Sequence, residues 1–121
     1  MNKLELLTLA AKAAGITHVD YSNLDYDGEI GLEMIDSIGR HYGAWNPLDD
    51  DADAFKLASD LQISVRHFPA CVEVDYPKIG LPVKLIGEPP LICDVSSGQD
   101  RLKVTRNLIV QVAANLGNHK E

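Results

Sequence analysis

Helical spacing of apolar residues marks both ends of the chain, and strict alternation marks its centre. Leu4, Leu7, Ala11 and Ala14 share one face of a helix over 3–14, and Gly15 stands where a left-handed cap would end it. Ile16 to Tyr21 reads as a short strand and Ser22 to Gly28 as a turn-rich stretch. Ile30, Leu32 and Met34 alternate with Gly31 and Glu33, which predicts a strand. Ile30, Met34 and Ile38 would also fit one helix face, but Gly28, Gly31 and Gly39 favour strand and turn. Pro47 disfavours helix at Asn46. Asp49, Asp50 and Asp51 then crowd the start of a second helix, where unpaired N–H groups favour carboxylates. Ala54, Leu57, Ala58 and Leu61 form its inner face, with Phe55 flanking.

The cleanest period of two sets Phe68, Ala70, Val72, Val74 and Tyr76 against His67, Cys71, Glu73 and Asp75, which predicts one strand. Pro77 to Pro82 should turn the chain back, with Val83 to Ile86 returning as the hairpin partner. Pro89 and Pro90 break that pairing, and Leu91 to Val95 is a further extended segment. Ser96 to Asp100 forms a loop leading to an N-cap. The last helix is expected from about Asp100 to Leu116, with Leu102, Thr105, Ile109, Val112 and Leu116 inside and Gly117 at its end. The fold class is therefore α+β: three helices packed on a four- or five-stranded, mainly antiparallel sheet, in one domain over 1–121.

Charge sharpens this picture. The net charge is −7 over 121 residues, and residues 20–60 hold 11 acids against Arg40 and Lys56. Such a balance argues against direct nucleic-acid contact and against an anionic membrane. No run is apolar enough to span a bilayer and the first residues lack a signal-peptide layout, so a cytoplasmic protein is expected. The cysteines, Cys71 and Cys93, sit in apolar runs without a Cys-x-x-Cys pair and read as free thiols.

The candidate chemistry is sparse. Asp49, Asp51, Asp53 and Asp60 resemble the start of a calcium loop, but Ala54 replaces the required glycine and a helix runs through the site, so capping is the better reading. His18, His41, His67 and His119 share no metal-ligand spacing, and neither a metal nor a cofactor is expected. Trp45, beside Pro47 and just ahead of a capped helix, reads as a packing anchor. With Tyr42 it would alternatively make a hot spot for an arginine-bearing partner.

Two groups of residues carry a resemblance. Asn2-Lys3-Leu4-Glu5-Leu6-Leu7 with Ala10-Ala11-Lys12-Ala13-Ala14-Gly15 resembles the opening of small proteins encoded by enterobacterial phages and prophages. Trp45-Asn46-Pro47-Leu48, then Asp50-Asp51, Asp53-Ala54 and Leu57-Ala58, is similar to their central motif, and 105–117 to their closing helix. Among these proteins is the phage ABA-sandwich domain, so the resemblance implies an α/β/α arrangement and a phage or prophage origin. It brings no established activity and no catalytic residues.

These features lead to a non-enzymatic accessory protein that binds a host or phage protein with a basic surface. One form of it is an acidic inhibitor of a host nucleic-acid-handling or defence enzyme. The contrasting expectation is a small enzyme with dispersed catalytic residues, which a polar pocket with shifted carboxylates would favour. Candidate binding residues are the acids not needed for capping, Asp25, Asp27, Glu29, Glu33 and Asp36, with Tyr42 and Trp45. A homodimer through an edge strand or a terminal helix is the expected association.

Overall fold

A computed structural model describes residues 2–16, 18–26, 29–35, 38, 40–95 and 100–120. Helix α1 runs Lys3–Ala14, as its spacing predicts. The Asn2 side chain accepts the Glu5 N–H at 2.8 Å, and Gly15, at φ 71°, donates to the Ala11 and Lys12 carbonyls. Strands β1 (His18–Tyr26), β2 (Glu29–Ile35) and β3 (His41–Trp45) follow, then α2 (Asp51–Leu61), β4 (Ser64–His67), β5 (Cys71–Asp75), β6 (Leu91–Asp94) and α3 (Arg101–Asn118). Asp50 caps α2 by accepting the Asp53 N–H, and Asp100 caps α3 by accepting from Leu102 and Lys103.

The α+β class holds, but the sheet does not form as expected. Among the described residues the strands make two three-stranded antiparallel sheets, β1-β2-β3 and β4-β5-β6, in place of one sheet of four or five strands. Layering differs as well. All three helices pack against one another, which a sheet lying between helix layers would prevent, so the arrangement is not an α/β/α sandwich. Helix α1 reaches β2, while α3 reaches β5 and β6. Leu7, Leu32, Val72, Val74, Val110 and Val112 are fully buried in the core that joins these elements.

Four local differences have physical causes. The stretch expected as one strand over 67–76 is a hairpin: Pro69 has no N–H to continue a ladder, and the Phe68 N–H turns back to the Cys71 carbonyl at 2.9 Å. The side-chain alternation survives in β5, with Val72 and Val74 inward. Val83–Leu85 is a single 3₁₀ turn in which Leu85 is buried and Val83 exposed, so β6 is the strand that pairs with β5. Strand β1 continues through the stretch read as turn, across an irregularity between Tyr21 and Tyr26, and β3 was not foreseen.

The fourth is Gly117, which does not end α3. It lies within the helix, where a β-carbon would fall 1.8 Å from the Leu9 carbonyl oxygen. The glycine is needed for the approach of α1 to α3 rather than for a turn. The loop expected at Ser96, Ser97, Gly98 and Gln99, and the turn glycines Gly28 and Gly39, lie outside the described residues.

Candidate functional site

The segment Trp45 to Asp53 ties the fold together. Trp45 ends β3, opposite Leu32 of β2, and is 4% exposed, and Pro47 is fully buried behind it. The anchoring role expected of Trp45 is therefore the one its burial shows. Asn46 sits at the centre of a polar network. Its side-chain oxygen accepts the Leu48 N–H at 3.2 Å, its amide donates to Asp49 at 2.9 Å, and its own N–H donates to the Asp53 carboxylate at 2.9 Å. Asp49 also receives the Lys3 ammonium at 2.6 Å, which fastens α1 to this junction. From α3, Arg106 donates to the Leu48 carbonyl at 2.9 Å and pairs with Asp51.

Each acid of this run thus has a partner within the chain. Asp50 caps α2 as expected, whereas Asp51 holds Arg106 rather than helix N–H groups. Asp60 pairs with Lys56 one turn earlier, so the carboxylates that resemble a calcium loop are spread over four separate contacts. The Lys3 ammonium hydrogen-bonded to Asp49 holds its carboxyl below the usual carboxylate range. Burial pushes Asp53 up, against the pull of the Asn46 N–H.

A second charged group lies on β4 and β5. Arg66 bonds Glu73 across the strands at 2.6 Å and reaches Asp75 at 3.5 Å, and Lys78 approaches Asp75 at 3.1 Å. Burial raises the Asp75 proton affinity, but Lys78, the Tyr76 N–H and Arg66 together outweigh it and hold the carboxyl low. Nearby, Arg101 of α3 fastens the β4–β5 turn through the Phe68 and Pro69 carbonyls, at 2.8 and 3.1 Å.

The acids singled out for binding belong to the first sheet. Glu29 and Glu33 occupy the positions of β2 that alternate with Leu32, which is fully buried, and Met34, which packs against the core. Glu33 is in register with Val19 and Ala44, and Glu29 with Tyr26. Tyr21 pairs with Gly31, so two tyrosines share this set of positions with both glutamates. Asp25 falls in the irregular part of β1 and Tyr42 in that of β3, while Asp27 and Asp36 lie outside the described residues. Tyr21 and Tyr26 were passed over because turn-forming neighbours masked their strand.

Two grooves open elsewhere. One, about 1040 Å³, lies among the ends of α2 and α3 and the 77–84 segment, with Ile79 and Val83 strongly exposed. The other, about 530 Å³, runs between α2, β4 and α3 over a floor that includes Ala54, Ile63 and Ile109. The carboxyls with shifted proton affinity, Asp49, Asp53 and Asp75, line neither groove. Among the described residues no group of three histidine, cysteine, aspartate or glutamate side chains is placed to hold a metal, and no helix is long and apolar enough to cross a membrane. Comparison of the chain with models of known families, with curated proteins and with solved structures found no match.

Proposed function

We propose that this chain is a non-enzymatic protein-binding module, a small accessory protein of the phage and prophage kind, whose partner is a host or phage protein with a basic surface. The observation that carries the reading is the alternation along β2, which sets Glu29 and Glu33 opposite the core positions Leu32 and Met34. In a sheet with one face on the core, such positions belong to the other face. Tyr26 and Tyr21 are in register with that set, and aromatic rings among carboxylates suit arginine-rich surfaces. The segment 20–60 supplies the long-range attraction with its 11 acids against two bases.

The acids of 49–53 are excluded from this role because each is engaged in holding α1, α2 and α3 together. Presentation of carboxylates where phosphates would bind gives the narrower form of the proposal, an inhibitor of a host nucleic-acid-handling enzyme. The test is capture from bacterial lysate at low and high salt. One basic protein retained at low salt and released at high salt is the expected result. Retention indifferent to salt, or a neutral or acidic partner, would contradict it.

A further inference from the structure

Strand β4 is an edge of its sheet, and half of its backbone groups point away from β5. The Phe68–Cys71 hydrogen bond fixes the alternation: Arg66 and Ser64 turn their peptide groups toward β5, and Val65 and His67 turn theirs outward. Beside this edge lies the groove of about 530 Å³, which Val65 and His67 help to line. At its margins Phe55 of α2 is 76% exposed and Leu102 of α3 is 58% exposed. An unpaired strand edge, an apolar channel along it and a large aromatic side chain left in water occur together at one place.

We infer that a second copy of this chain docks here, through antiparallel pairing of β4 with itself. A two-fold axis through Arg66 sets the outward groups of Val65 against those of His67 in the other copy, so each donor meets an acceptor. The pairing joins the two sheets into one of six strands with both helix layers on the same side, and it brings Phe55 of each copy under cover. Charge selects this surface for self-association. Two chains of net charge −7 repel, so their contact must avoid unbalanced acid. Around this edge the charges are already balanced within each copy: Asp51 by Arg106, Asp60 by Lys56, and Glu73 and Asp75 by Arg66. The Arg101 guanidinium is taken up by the turn carbonyls. The surface is separate from the acidic first sheet, so the inference does not rest on the proposed partner.

A four-residue strand with two apolar side chains per copy makes a contact smaller than a standard interface, and dissociation on a micromolar scale is expected. Sedimentation equilibrium of the full chain from about 1 to about 100 μM should show 13.2 kDa rising to twice that mass. Phe55→Asp should raise the dissociation constant at least about tenfold while leaving the circular dichroism spectrum unchanged. In the unsubstituted chain, amide exchange at Val65 and His67 should slow as concentration rises, a readout that stands even if Phe55→Asp fails to fold. A 13.2 kDa species at every concentration would overturn the inference. So would a dimer that Phe55→Asp leaves intact, or one in which the Val65 and His67 amides exchange at their dilute rate.

Discussion

Replacing Gly117 with alanine should destabilise the protein although glycine is a poor helix former. A β-carbon at this position would lie 1.8 Å from the Leu9 carbonyl oxygen, 2.8 Å from the Leu9 carbonyl carbon and 3.3 Å from the Ala13 nitrogen. These are backbone atoms of α1 and cannot rotate aside, so the helices must separate by about 1.4 Å to restore ordinary contact. A gap of even about 1 Å forfeits up to about half of the dispersion attraction along the seam. Overpacking of this kind costs about 3 kcal/mol at the upper end of its usual range. Alanine returns about 1 kcal/mol through its better helix propensity, which leaves a net loss of about 2 kcal/mol. With an unfolding entropy of about 0.25 kcal/mol/K for 121 residues, the midpoint should fall by about 8 °C. Thermal unfolding followed by circular dichroism measures it, with Asn118→Ala, on an exposed neighbour, as the control. A midpoint raised by about 4 °C, the propensity gain alone, would refute the close approach of α1 to α3.

Other substitutions test the junction at 45–53. Trp45→Ala should cost about 3–5 kcal/mol by urea unfolding, since the indole is 4% exposed within the core. Asp50→Ala should cost about 1 kcal/mol through loss of the α2 cap, measured in the same way. Asp49 and Asp75 have lowered proton affinity when folded, so their contribution is complete above the ordinary value of 3.8 and is lost as pH falls through their folded values. Asp53 is shifted the other way, and between 3.8 and its raised value the folded state holds more protons and gains stability as pH falls. Melting temperatures of Asp75→Asn from about pH 7 to about pH 3 should therefore show a shallower acid loss, and those of Asp53→Asn a steeper one.

The helices were legible because their signals are local. Asn2 and Gly15 bracket α1, Asp50 opens α2 and Asp100 opens α3, each through a hydrogen bond to a near neighbour. The break in the 67–76 alternation was not, because Phe68 and Ala70 keep the period of two straight through a turn that Pro69 makes. Gly117 looks like a terminator by position, and only the neighbouring helix reveals that its missing side chain is what matters. The polar junction escaped for the same reason: Lys3, Asp49 and Arg106 are far apart in the chain, and the run of aspartates reads as helix capping alone. Composition did locate the acidic segment, but separating its structural acids from its candidate binding acids required the contacts around Asn46.

The central claim is that the acids on the first sheet, rather than those at the α2 junction, recognise a basic partner. Lysine substitutions at Asp25, Asp27, Glu29, Glu33 and Asp36, scored together for melting temperature and for capture of the basic protein retained at low salt, test it most directly. The account predicts that Glu29→Lys with Glu33→Lys leaves the melting temperature within about 1 °C, since exposed charges contribute little to stability, while capture falls most sharply at low salt. Capture that survives all five reversals would contradict it and leave the acidic segment as a solvated face.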